Sequence, residues 1–348
     1  MTIAASPTPS FSAPIALDES TFAGQSLAPF SIPSTPQANN HDMLQDTAKE
    51  VIHGEGNLAT DQRYHQTVEQ QAEKLACELS HQGRYKAAEQ LHQQMLEIGR
   101  SVLGSEDPYT LTSMDYLASV LCAPKRYKAA ERSHRQVLEL RQMALGFEHP
   151  KTLASMSNLA RVLMGQGRYW AAEMMYRETL KLRQKVLPAK HPDLLESISD
   201  LASVLEGQGR YETAEQMHWQ TLKLRQKALG TESPITLASM DNLARVLRKQ
   251  GQWKRAEEIN RQTLQLSQRV LGPEHPNTLR SMNNLASSLS SQGKNGEAEQ
   301  IHRQALQLKK KVLGPEHPNT LTSMGNLASL LDSQGKNIEA EQTWPLTI

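Results

Sequence analysis

Apolar and small positions along this chain recur with a period of 42 residues. Leu-Ala pairs begin at Leu75, Leu117, Leu159, Leu201, Leu243, Leu285 and Leu327. Ala-Glu pairs begin at Ala88, Ala130, Ala172, Ala214, Ala256, Ala298 and Ala340. Prolines punctuate the same register at Pro108, Pro150, Pro192, Pro234, Pro276 and Pro318, and no insertion breaks it in seven copies. A fixed period of this size decides the fold before any local propensity does. Within a unit the spacing predicts two helices. Leu279, Met282, Leu285, Ala286 and Leu289 share one face between Thr278 and Gln292. Thr278 is the expected N-cap after Pro276, and Gly293 the closing residue. The second helix is longer. Tyr211, Ala214, Met217, Leu222, Leu224, Ala228 and Leu229 follow a helical period for about 19 residues, roughly 28 Å, and Leu-Gly ends it at Leu229-Gly230 and Leu271-Gly272. Paired helices with short links and no strand pattern predict an all-α fold, an α-solenoid of seven stacked units. Ala286 and Ala298 stand where helices must approach closely, so larger side chains there are expected to overpack the seam between helices.

The flanks read differently. Residues 1–36 hold six of the 17 prolines, seven serines and only two charges, Asp18 and Glu19. Proline fixes φ and lacks an N–H, so 1–40 is expected to be a disordered tail. From 41 to 60, Met43, Leu44, Thr47, Ala48, Val51 and Ile52 fall on one face, which predicts a short capping helix ending at Gly54 and then a link. The array itself covers 61–343. Its seventh unit has a truncated second helix, which starts at Asn337 and meets Trp344-Pro345 within about two turns. Leu321, Leu327 and Leu331 are therefore expected to be partly uncovered, and 344–348 forms a C-terminal tail.

Composition narrows the function. The chain has 348 residues, with 38 Lys and Arg against 37 Asp and Glu, a net charge of +1. That balance lacks the basic excess a nucleic-acid surface needs. The charge is uneven: 1–60 carries −5, which leaves +6 on 61–348. Cys77 and Cys122 have no CxxC spacing and read as buried thiols of a reducing compartment. No apolar run approaches the ~18 residues of a membrane span, and no Lys or Arg precedes Lys49 to begin a targeting signal. The expectation is a cytoplasmic protein with no membrane partner.

The Leu-Ala-x-x-Leu core of the first helix, the Gly-x-Tyr turn and the Ala near the start of the second resemble the tetratricopeptide repeat, whose usual unit is shorter. The 42-residue unit and the link Gly272-Pro273-Glu274-His275-Pro276-Asn277-Thr278-Leu279, repeated from Gly314 to Leu321, resemble the kinesin light chain variety. They also resemble the repeat arrays of fungal NOD-like receptors. The chain shows no heptad coiled coil in 1–60 and no P-loop, which would accompany the array in those two families. The resemblance implies a right-handed superhelix whose first helices line a concave groove. It also implies a non-catalytic interaction module or scaffold that holds an extended peptide or partner segment there. The alternatives are an accessory or adaptor subunit of an enzyme pathway or motor complex, and a detached recognition array of a receptor.

Chemistry outside that reading is weak. Gly293-Lys294 and Gly335-Lys336 lack the upstream glycine of a phosphate loop. The link histidines His149, His191, His275 and His317, and a second ladder of His92, His134, His218 and His302, stand one layer apart. Packed helices are ~8–10 Å apart, too far for ligands that zinc holds at ~2 Å. They are expected to be caps and surface residues, and no metal or cofactor is expected. Lys181, Arg183, Lys185 and Lys223, Arg225, Lys227, with Lys309-Lys310-Lys311, sit in final helical turns, where cations complement the helix dipole.

The resemblance places groove positions around the core Leu. The residue just before it is Asn158, Asn242, Asn284 and Asn326 in four units, replaced by Lys74, Tyr116 and Asp200 in the others. One carboxamide both donates and accepts, which matches a peptide unit. Arg161 in unit three, and Arg245, Arg248, Lys249 and Arg280 in units five and six, add positive charge, interleaved with Asp115, Glu196, Asp200 and Asp241. A local basic pocket favours an acidic motif through charge-assisted bonds. The candidate peptide-binding set is Asn158, Arg161, Asn242, Arg245, Arg248, Arg280, Asn284 and Asn326. Residues 272–300 and 314–342 differ at five positions only, and three of them (Arg280/Thr322, Asn283/Gly325 and Ser290/Asp332) fall on inferred groove positions. A duplicated scaffold with a diversified binding face shows this pattern.

Overall fold

The computed structural model describes Ala76, residues 78–80, 82–122 and 125–344. The tail 1–40, the capping helix and link of 41–60, the array's first residues 61–75, Cys77 and residues 345–348 lie outside the described residues. Unit one contributes helical residues at Ala76 and 78–80, then α1 (Tyr85–Val102). Units two to four are α2 (Pro108–Cys122) with α3 (Tyr127–Leu145), α4 (Pro150–Gly165) with α5 (Tyr169–Val186), and α6 (Pro192–Gly207) with α7 (Tyr211–Leu229). Units five to seven are α8 (Pro234–Lys249) with α9 (Trp253–Leu271), α10 (Pro276–Ser291) with α11 (Asn295–Leu313), and α12 (Pro318–Ser333) with α13 (Asn337–Thr343). No strand occurs among the described residues. This is the α-solenoid that the period predicts.

The local signals act mostly where the spacing places them. Gly293 takes φ +76, its N–H bonding to Ser290 O at 2.9 Å while Lys294 N reaches Leu289 O at 3.0 Å. A left-handed residue of this kind is cheap only for glycine. Unit two builds the same corner with Lys125 at φ 61. Helix starts differ from the expectation at one point. The N-cap of α10 is His275, whose Nδ1 accepts from Asn277 N at 3.1 Å; His149, His191 and His317 cap α4, α6 and α12 alike. Proline at the first helical position needs no acceptor for an N–H, so the cap serves the next amide. Thr278 lies inside the first turn, fully buried, and its hydroxyl donates to Gly272 O at 2.8 Å. It ties the link rather than capping the helix.

Apolar faces pack as the period requires. Leu159, Leu163, Tyr176, Leu201 and Leu205 form one continuous cluster across units three and four. The glutamate of each Ala-Glu pair before the last unit clamps neighbouring units. Glu131 accepts from Gln166 at 2.7 Å and Arg168 at 3.0 Å, Glu173 from Gln208 at 2.7 Å and Arg210 at 3.0 Å, and Glu257 from Gln292 at 2.7 Å and Lys294 at 2.6 Å. Burial works against ionisation of Glu257, but bonds from Lys294, Gln292 and Arg261 outweigh it and hold the carboxyl at about 2. Glu131 and Glu173 are also lowered, again against burial. A carboxyl lowered in the folded state adds stability above its unfolded value near ~4.3, and that stability is lost as pH falls through the folded value. Thermal unfolding followed by circular dichroism is therefore expected to fall steeply between pH ~4.3 and about 2. Glu257→Gln should flatten that fall, and an unchanged profile would remove the clamp from the account.

Two expectations need correction. Leu321 is uncovered at 40 % exposure, but Leu327 and Leu331 are buried against Leu306, Met324 and Ala340. The short α13 thus covers the end of α12 that faces it, and only the other end stays bare. Cys122 is half-buried rather than buried, with its thiol against Ala118 O. Among the described residues no helix is long and apolar enough to cross a membrane.

Candidate functional site

First helices touch the first helix of the next pair, as α2 does α4, α4 does α6 and α8 does α10, and among the described residues no comparable contact joins successive second helices. The first helices therefore lie on the inside of the curve. Asn158, Asn242, Asn284 and Asn326 stand one per first helix on α4, α8, α10 and α12, each half-buried. Two of the four amides are engaged within the array. Asn242 Nδ2 lies 3.4 Å from Ser199 Oγ, and the Asn284 side chain bonds the Asp241 carboxylate, while the Asn284 backbone carbonyl accepts from Asn260 at 3.2 Å.

The basic candidates separate into two places. Arg161 is exposed on α4 and donates to the buried Tyr176 hydroxyl beside Asp200. Arg245, Arg248 and Arg280 come together on α8 and α10, but they face carboxylates. Arg245 pairs with the buried Glu206 and reaches Asn242 Oδ1 at 3.4 Å. Arg280 Nε lies 3.3 Å from Asp241 Oδ2, and Arg248 feels both Glu206 and Arg245. The stretch is a charge lattice with cations in excess. Burial pushes Glu206 and Asp241 up, against those arginines. Asn283 is not a groove residue. It is buried, and its Nδ2 donates to Ser323 Oγ at 2.8 Å in the next unit.

Asp200 holds the asparagine position in unit four. Its Oδ2 is buried with no hydrogen-bond partner. Burial, reinforced by Glu196 one turn away, pushes its carboxyl up to about 6 against the pull of Arg161, Arg183 and Arg225.

A second array was missed by sequence reasoning. Arg141, Arg183, Arg225 and Lys309 are buried, and each donates to a serine of the following first helix: Ser155 at 2.6 Å, Ser197 at 2.6 Å, Ser239 at 2.7 Å and Ser323 at 2.7 Å. The dipole reading holds for neighbours such as Lys185 and Lys311, which stay exposed and pair with Glu148 and Glu274. It fails for this inner row, which faces the next layer. The available signal was a basic residue in the 42-residue register, interrupted at Ser267, and always 14 residues before a serine. Only Arg141 meets a carboxylate directly: Asp115 bonds it and lies 2.8 Å from His134 Nδ1. Burial alone lowers Lys309 to about 8.

The second histidine ladder is internal, not a surface feature. His92, His134, His218 and His302 are all buried. Burial lowers His92 and His302 to about 4 and His218 to about 3, so all three are neutral at pH 7. Among the described residues no group of three or more His, Cys, Asp or Glu is placed to hold a metal ion.

A family model described as tetratricopeptide repeat matches residues 76–143, 116–185, 193–266, 242–311 and 286–343. Among solved structures, the chain is similar to a Podosopora anserina putative kinesin light chain with nearly identical TPR-like repeats, at 29 % identity and a TM-score of 0.50, over 59 % of this chain and 98 % of that one. It is similar to BtubC (BKLC) from P. vanneervenii at 23 % identity and a TM-score of 0.50, over 63 % of this chain and 87 % of that one. NprR in complex with its cognate peptide NprX matches at 15 % identity and a TM-score of 0.56, over 86 % of this chain and 79 % of that one. The last two likenesses concern the fold alone. No curated protein matches the chain.

Proposed function

Because the chain belongs to the tetratricopeptide repeat family, whose arrays are generally protein-interaction modules, we propose that it holds an extended peptide segment of a protein partner along the concave groove. The observation that carries this is the column of half-buried amides, Asn158, Asn242, Asn284 and Asn326, at one per first helix. Each has a donor and an acceptor, and a row of them fits the repeating N–H and C=O groups of an extended backbone. Units five and six set the side-chain preference. Arg245, Arg248, Lys249 and Arg280 meet two carboxylates there, Glu206 and Asp241, and the surplus of cations favours an acidic residue in the partner. The reading is a binding role without chemistry of its own. An adaptor role beside an enzyme or motor uses the same surface, in keeping with the putative kinesin light chain among the similar structures.

The test is a displayed library of random peptides panned on the whole chain, followed by Asn158, Asn242, Asn284 and Asn326 all changed to Ala. The selected peptides are expected to be enriched in Asp and Glu, and capture should fall while the helical signal stays. These positions are half-buried, so the cost to stability is small beside that of core truncation. Arg245 is excluded from the set, since truncating it strands the buried Glu206. Unchanged capture by the four-alanine chain would move the site off the groove.

A further inference from the structure

Gly83 makes the corner between the first and second helices of unit one, with φ +75. Its counterparts Gly167, Gly209, Gly251, Gly293 and Gly335 share that φ and have nothing within 4 Å of where a Cβ would stand. Gly83 alone among these corners is crowded. A Cβ there would lie 2.5 Å from Pro318 Cδ and 3.4 Å from His317 Cδ2. His317 and Pro318 belong to the link that opens α12, between five and six repeats further along the chain. The other side of the contact shows the same thing. His317 is 5 % exposed, whereas His149, His191 and His275 are half-buried at the equivalent place. Helix-to-helix corners within units run along one edge of a solenoid, and the links between units run along the opposite edge. A corner meets a distant link only where the superhelix has gone once round and its two edges touch.

We propose that units one and seven form a seam, Gly83 against His317 and Pro318, that closes the array into one complete superhelical turn, and that opening this seam admits a partner segment to the groove. The second half rests on the groove reading above; the first does not. The contact explains why glycine stands at 83 on two separate grounds, a left-handed φ and the lack of a Cβ. The other corners require only the first. Among the described residues the seam brings the Gly83 backbone against the Pro318 ring and the edge of the buried His317 imidazole.

The matched pair Gly83→Ala and Gly209→Ala tests it in the full chain. Both pay the left-handed backbone cost, and only Gly83→Ala also drives a methyl into Pro318. In a background with Cys77 and Cys122 changed to Ser, spin labels at Gln82→Cys and Asn319→Cys, both exposed, should give a short distance. That distance should lengthen with Gly83→Ala and not with Gly209→Ala. A long distance with Gly83 intact overturns the seam. Access is read at a single cysteine in the groove, Asn242→Cys, labelled either with N-ethylmaleimide or with a polymer-linked maleimide. Gly83→Ala should speed the polymer reagent several-fold and leave N-ethylmaleimide unchanged, while Gly209→Ala changes neither. Equal polymer rates in all three chains overturn the gate. If Gly83→Ala loses its helical signal, a bismaleimide staple between Gln82→Cys and Asn319→Cys, closed before a cysteine is unmasked at 242, replaces it. The staple should slow the polymer reagent, and no slowing refutes gating. Neither readout involves a peptide, so a failure of the seam and a failure of the peptide reading are told apart.

Discussion

Asp115→Ala is expected to destabilise the early units of the array by about 3–5 kcal/mol, the cost of leaving a buried cation without its counter-charge. Arg141 is 4 % exposed, and Asp115 is its one carboxylate partner. Its other contacts are neutral: Ser155 Oγ at 2.6 Å, Lys151 O at 3.3 Å and Thr112 Oγ1 at 3.4 Å. These satisfy donors without cancelling the charge. The same truncation takes the partner 2.8 Å from the Nδ1 of His134, which is 1 % exposed. Asp115→Asn keeps an oxygen for one of the two neighbours and should cost less. A double change, Asp115→Ala with Arg141→Met, should recover much of the loss, because replacing a buried ion pair by apolar groups is often neutral or better. Since units two and three contact only neighbouring units, the loss is local. Hydrogen exchange should find 108–165 deprotected while 234–313 is unchanged. A loss under about 1 kcal/mol in urea unfolding would mean that water reaches Arg141 and that the pair behaves as an exposed one.

The fold was legible because its determinants are local and repeated. Leu285, Ala286 and Ala298 each report one face of one helix, and seven copies remove the ambiguity that a single apolar run carries. The corners were legible too, since glycine at 293 has a backbone reason that is visible without neighbours. What stayed hidden depends on the next layer. Thr278 looks like an N-cap, but His275 competes for that place and wins, because its ring reaches the amide of Asn277. Lys309 looks like the start of a solvated basic run, and Lys310 and Lys311 are exposed as such. Lys309 alone points at α12 and is 5 % exposed. Rotation about the helix separates the three, and the stripe they belong to is polar, so a hydrophobic pattern does not mark it. The column of asparagines, one per first helix in four units, was legible in the sequence. The pairing of the charges beside it was not: the link from Arg245 to Glu206 and that from Arg280 to Asp241 cross between units 39 positions apart. Adjacent charges along the sequence therefore say little about which of them pair in the fold.

Asp200→Asn is expected to stabilise the array at neutral pH, against the usual sign of a point mutation. Asp200 sits where other units have Asn158, Asn242, Asn284 and Asn326, and its neighbourhood suits an amide better than a carboxylate. Its Oδ2 is buried without a partner, and Glu196 shares the site. Arg161, Arg183 and Arg225 offset part of the burial cost, yet the carboxyl still stands at about 6 against the ordinary 3.8. A group raised in the folded state contributes fully below its unfolded value, and that contribution is lost as pH rises through the folded value. The penalty on the wild type therefore grows between pH ~4 and about 6 and is complete above that. At about 1.4 kcal/mol per pH unit the ceiling is about 3 kcal/mol, and partial exposure to water reduces it toward about 1–2 kcal/mol. The asparagine does not titrate, so the gap between the two chains should widen across that window and stay level on either side. Thermal unfolding at pH 3.5, 5 and 7.5 reads this directly. A gap that is the same at all three values would mean that Asp200 is ionised and well solvated in the folded array, and that the irregular unit four has no electrostatic cost.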